Sequence, residues 1–227
     1  NSMNGFELSS VDYCNLTGND ADLNGFGDIQ SGGGQDGFYV HNNIGTGYNS
    51  LVMNSADGNY LNGFLLEGTA YNVLDQNNAT SNDENGFSVM ASGGGGIGPM
   101  SYNNLTNSLA YHNGVNGFNI EDDNTYLANN NATMNDVGYY ITGFGPFFDY
   151  NSSMYDVLIN NTAYNNSMNG FELSSVDYCN LTGNKADLNG FGVISTGGQE
   201  GFYIHNDLGT GYNGLAMNSA EGNHLNG

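Results

Sequence analysis

The chain has 227 residues, a net charge of -22, a single Lys or Arg (Lys185) and no Trp. Nucleic-acid binding needs many cations to displace counterions from phosphates, so that partner is excluded. No run of about 18 apolar residues occurs, so no segment reads as a membrane span.

From the amino terminus, Asn4-Gly5-Phe6-Glu7-Leu8 sets Phe6 and Leu8 two residues apart, the spacing of a strand with one buried face. Tyr13-x-x-Leu16-x-x-Asn19-x-Ala21-x-x-Asn24 follows. This unit recurs along the chain. Its Ala returns as Ala56, Ala79, Ala110, Ala132, Ala163, Ala186 and Ala220. Five residues earlier stands Leu16, Leu51, Leu74, Leu105, Leu127, Leu158, Leu181 or Leu215. Asn stands two before the Ala, except at Ser108, and three after it in every unit. A Gly-aromatic marker opens the units: Gly5-Phe6, Gly25-Phe26, Gly63-Phe64, Gly86-Phe87, Gly117-Phe118, Gly138-Tyr139 and Gly170-Phe171.

A period of about 20–30 residues means a solenoid, because each unit buries its apolar face only against its neighbours. Short runs alternating at period 2 and frequent Gly point to strands rather than helices. Asn suits the bends by tolerating left-handed backbone, and stacked Asn side chains can hydrogen-bond as ladders. The expected fold is all-β, a right-handed parallel β-helix with six rungs in a 165-residue long repeat. Residues 1–165 form that repeat and 166–227 a partial second copy, one continuous segment read as part of a longer tandem array. Cys14 and Cys179 share one repeat position, which places them too far apart to pair within the chain.

Asp20-Ala21-Asp22-Leu23-Asn24-Gly25-Phe26-Gly27-Asp28 opens like a calcium loop. Asp20, Asp22, Asn24 and Asp28 are its candidate ligands, because Ca²⁺ takes several oxygens from alternating residues around a Gly turn. The second copy, beginning at Lys185, loses two of them. Extra residues are expected after the aromatic strand and before the Tyr, at Gln30 to Gly37, Ala91 to Met100 and Thr142 to Tyr150, lining one flank. Gly143, Phe144, Phe147 and Phe148 are too apolar for a loop that meets only water and read as an assembly contact. Sequons for N-linked glycans begin at Asn15, Asn78, Asn104, Asn131, Asn151, Asn160, Asn165 and Asn180.

The run Asn-x-Ala-x-x-Asn-x-x-Asn-Gly-Phe, as in Asn77 to Phe87 and Asn161 to Phe171, resembles the parallel β-helix repeats of the NosD-like and pectate-lyase-like proteins. The resemblance implies the fold over the whole chain. It also implies the company of archaeal and bacterial surface proteins, and leaves function open, since that architecture hosts lyases, hydrolases, epimerases, adhesins and structural proteins. The polysaccharide lyases of this resemblance use Arg or Lys as base, and this chain has no Arg. Its carboxylates scatter across turns, and His41 and His205 are one repeat position. The expectation is therefore no enzyme. The sequence reads as an extracellular, glycosylated, structural fibre or surface-layer protein that self-associates, with Ca²⁺ as its candidate cofactor and surface polysaccharide as its candidate partner. An adhesin or carbohydrate-binding β-helix is the alternative, and a carbohydrate-active enzyme the third reading.

Overall fold

The computed structural model describes residues 3–25, 34–42, 47–91, 101–143, 155–192, 198–205 and 211–227. The strands form three sheets of eight, eight and seven, and every pairing is parallel. The first rung gives two strands, and from the second rung on each sheet takes every third strand, so the chain winds as a coil with three flat faces. No described segment is helical, and no helix long and apolar enough to cross a membrane is present among them.

The first sheet stacks Phe6, Phe38, Phe64, Phe87, Phe118, Tyr139, Phe171 and Phe202 in register. Their ring centroids lie 4.6 to 4.9 Å apart with planes 3° to 7° from parallel. That separation is the strand spacing itself, so in-register pairing dictates the stack. Leu16, Leu51, Leu74, Leu105, Leu127 and Leu158 form the second column, as expected. The repeated Ala forms the third. Tyr139 is fully buried, and its hydroxyl donates to the Thr162 carbonyl at 3.3 Å. Burial holds that phenol protonated by raising its pKa.

The asparagine ladders are present and account for most buried polar side chains. From Asn24 through Asn59, Asn82, Asn113, Asn135, Asn166 and Asn189 to Asn223, each Oδ1 accepts from the backbone N and Nδ2 of the residue before it, at 2.8 to 3.3 Å. The spare Nδ2 hydrogen goes to a carbonyl further back, as Asn113 to Ala79. A second ladder runs through Asn19, Asn54, Asn77, Ser108, Asn130, Asn161, Asn184 and Asn218. Asn does occupy left-handed bends as expected, at Asn107, Asn129, Asn160 and Asn165 (φ 51°, 56°, 53° and 53°), but the ladder asparagines themselves do not. The residue before each does: Met53, Gln76, Ser81, His112 and Met134 have φ of 55°, 56°, 54°, 56° and 59°. The ladder needs an amide side chain pointing inward, and it holds an ordinary residue in the strained bend beside it.

Two further expectations need correction. The second rung starts at Gly37-Phe38, not at Gly25-Phe26. Rung-opening glycines are demanded by close approach. A Cβ at Gly63 would lie 2.7 Å from the Gly86 carbonyl oxygen and 2.8 Å from Ala79 Cβ. Gly25 is instead a turn glycine at φ 88°. The Gln30 to Gly37 insertion consequently enters before the first-sheet strand, not after it. The other two do follow that strand, between Met90 and Asn104 and between Thr142 and Val157. Cys14 and Cys179 are free thiols on rungs six steps apart.

Candidate functional site

Alternation along the first sheet turns Phe6, half-buried at the end of the stack, and buried Leu8 inward and Glu7 and Ser9 outward. In-register pairing then builds two outward columns. One runs Glu7, Tyr39, Leu65, and its neighbour runs Ser9, His41, Glu67. Side chains meet diagonally between them. His41 Nε2 lies 3.3 Å from Glu7 Oε1. The Tyr39 hydroxyl donates to Glu67 Oε2 at 2.5 Å. The Tyr39 and His41 rings stack at 4.5 Å. Asn4 Nδ2 donates to the other Glu7 oxygen at 3.2 Å.

Partial burial, reinforced by the bond to Glu67 and the charges of Glu67, Asp36 and Glu7, pushes the Tyr39 phenol up, so it stays protonated and a hydrogen-bond donor. Asp36 sits inside the coil behind it, its Oδ1 accepting from Asn62 N and Nδ2 at 2.9 Å each. Burial raises the Asp36 carboxyl to about 6. The constellation recurs in the second copy: Glu172, Tyr203 and His205 take the same register positions. Tyr203 and His205 rings lie 4.8 Å apart, and Asn169 Nδ2 reaches Glu172 at 2.8 Å. This is an arrangement for moving protons: two carboxylates, a protonated phenol and an imidazole on one exposed face.

The expected site residues lie elsewhere. Asn24 is 5% exposed and its Nδ2 is bonded to Asn59 Oδ1, so its amide is committed to the ladder. Asp22 Oδ1 accepts from the Asp57 amide at 3.2 Å, Asp20 makes a bridge to Ser55, and Asp28 lies outside the described residues. Among the described residues no group of three or more His, Cys, Asp or Glu is placed to share a metal ion. The sequon residues Asn15, Asn78, Asn104, Asn131, Asn160 and Asn180 are exposed, and Asn165 is half-buried. Asn151, Phe144, Phe147 and Phe148 lie outside the described residues, and Gly143 ends the segment before them.

No family model and no curated protein matches the chain. Among solved structures, it superposes on a double mutant of the periplasmic alginate epimerase AlgG with a TM-score of 0.62 and 15% identity. The match covers 96% of this chain and 47% of that one, so the chain spans about half the length of its neighbour. It is a right-handed parallel β-helix protein. The A-module of the Azotobacter vinelandii mannuronan C-5 epimerase AlgE4 also matches, at a TM-score of 0.48 and 17% identity over 95% of this chain and 76% of that one.

The expectation of no enzyme does not stand, since a protein with this fold over 96% of the chain is an epimerase. The physical reason is register. Missing Arg excludes one kind of base, not all proton transfer. Glu7 and Glu67 look scattered in sequence, yet they stand two rungs apart on one sheet face. The signal open to sequence reasoning was the joint recurrence of Glu7, Tyr39 and His41 as Glu172, Tyr203 and His205.

Proposed function

We propose that this β-helix is a carbohydrate-active protein that works outside the cytoplasm, with Glu7, Tyr39, His41 and Glu67 as its acid–base site. One observation carries the reading: two hydrogen-bonded proton-transfer pairs, Glu7–His41 and Tyr39–Glu67, sit side by side on one outward sheet face. Tyr39 supplies a proton, and Glu67 orients it. His41 accepts one, with Glu7 holding the ring, since imidazole takes and gives protons most readily near neutral pH. A sheet face is long and shallow, so it fits a polymer better than a small molecule. The similar structure belongs to an enzyme named for alginate, which supports the glycan class. The fibre reading draws no such support.

The test is turnover of a polysaccharide panel, read by reducing ends, ultraviolet absorbance and proton NMR. Tyr39→Phe and His41→Ala should each lower the rate by about 10²- to 10⁴-fold, the usual worth of a positioned acid or base, while circular dichroism stays unchanged. No turnover on any glycan, or variants as active as the parent, sinks the proposal.

A further inference from the structure

At the corner leading from the third sheet to the first, five successive rungs line an open groove of about 600 Å³. It runs with the coil axis, so four rung intervals give it a length of about 19 Å. Its floor carries Asp83, Gly114, Asp136 and Ser167, each the residue after a ladder asparagine. His112 and Met134 stand along its side, and Phe191 closes one end. Gly114 keeps the floor low: a Cβ there would lie 2.2 Å from the Asp83 carbonyl oxygen. Asp136 accepts from the Ser167 hydroxyl at 2.6 Å.

Phe191 is the informative residue. It carries the Asn-Gly-Phe marker, yet it is absent from the internal stack, where Phe171 and Phe202 pair directly. It is instead 58% exposed, its ring tilted 51° against His224 at 5.4 Å. An aromatic face held open beside carboxylates has a definite complement. It needs a ligand with an apolar face for the ring and many hydroxyl donors for the carboxylates. It must also carry no negative charge, since two groove carboxylates and a chain of net charge -22 repel anions and the sole Lys lies on the third sheet.

We infer that this groove binds a neutral glycan chain lying along the coil axis, with one sugar ring packed on Phe191 and hydroxyls donated to Asp83 and Asp136. The groove shares no residue with the acid–base cluster, so either can fail alone. An axial run of equivalent corner residues suits a polymer of equivalent units.

The experiment is calorimetric titration of the folded chain. The probes are hexamers of glucose, mannose, galactose and N-acetylglucosamine, with a hexamer of a uronic acid as the anionic probe. At least one neutral hexamer should bind, and the uronate should bind at least tenfold more weakly. Phe191→Ala should weaken the neutral ligand tenfold or more and Asp136→Ala several-fold, while His41→Ala leaves it unchanged. Phe191 is exposed and Asp136 half-buried, and circular dichroism verifies that the variants fold. Failure of every neutral hexamer to bind, uronate bound equally well, or binding lost in His41→Ala but kept in Phe191→Ala overturns the inference. So does a dimer in sedimentation that Phe191→Ala dissociates, which would make the groove a self-interface.

Discussion

Two polar columns run side by side through this coil, and they have fared differently. The column from Asn24 to Asn223 is Asn on all eight rungs. The column one residue after Tyr13 and its equivalents, where Asn124 replaces one Tyr, reads Cys14, Asn49, Asn72, Asn103, Thr125, Asp156, Cys179 and Asn213. Where it keeps Asn, the same bonds form, as Asn49 to Asn72 at 3.0 Å. Where it drifts, defects collect. Thr125 Oγ1 is buried with no hydrogen-bond partner. Asp156 is fully buried, and burial drives its carboxyl well up. Burial, and then the charge of Asp156, pushes the Cys179 thiol up as well. The comparison teaches that an inward Asn is uniquely suited here, because one amide both accepts twice and donates twice. Threonine is too short, and a carboxylic acid offers one donor only.

The largest break of that contrast is Asn113→Ala. It removes Nδ2 bonds to Ala79 O and Asn135 Oδ1 and strips the Oδ1 partner from Asn82 N and Nδ2. Unmet buried donors dominate, and a loss of about 4 kcal/mol is expected from urea unfolding. Phe118→Ala gives a benchmark of apolar burial on the same rungs, about 3–5 kcal/mol.

Asp36→Asn sharpens the contrast with pH. Asp36 stands in a third ladder between Asn4 and Asn62. Its carboxyl is raised from 3.8 to about 6, so the stability it contributes is complete below about 3.8 and lost as pH rises through about 6. The Asn variant should match the parent at pH 3.5 and exceed it by about 3 kcal/mol above pH 7, compared by urea midpoints. Asp156→Asn should move stability in the same direction. An advantage that shrinks as pH rises contradicts both. The smallest effect is Thr125→Asn, which gives the orphaned position its amide back. A gain of about 1 kcal/mol is expected, and a loss would mean the site has closed around the shorter side chain.

The fold was largely legible because each column repeats one residue type. Phe64 to Phe118, the Leu series and the Ala series gave the faces and the stacking order directly. The second rung was misread because Gln35-Asp36-Gly37-Phe38 lacks the Asn before Gly, while Asn24-Gly25-Phe26 has it. Alternation was the better guide: Phe38-Tyr39-Val40-His41 places apolar residues two apart and forms a strand, whereas the sequence Phe26-Gly27-Asp28 offers no apolar partner at that spacing. The acid–base face was not legible for the same reason. Without Phe38 in the stack, Tyr39 and His41 have no register, and nothing brings them beside Glu7 and Glu67. Phe191 is the mirror case, a marker motif whose aromatic is left outside.

The recurrence of Tyr39–His41 as Tyr203–His205 has a consequence for affinity. Six rung steps separate the two pairs, a rigid interval of about 29 Å. On the function proposed above, a glycan held at one pair presents its own continuation to the other at a fixed distance, so the second contact is intramolecular. Rigid spacing of this kind sets a high effective concentration and yields avidity without new contacts. Long polymers should therefore dissociate far more slowly than short ones that reach one pair alone.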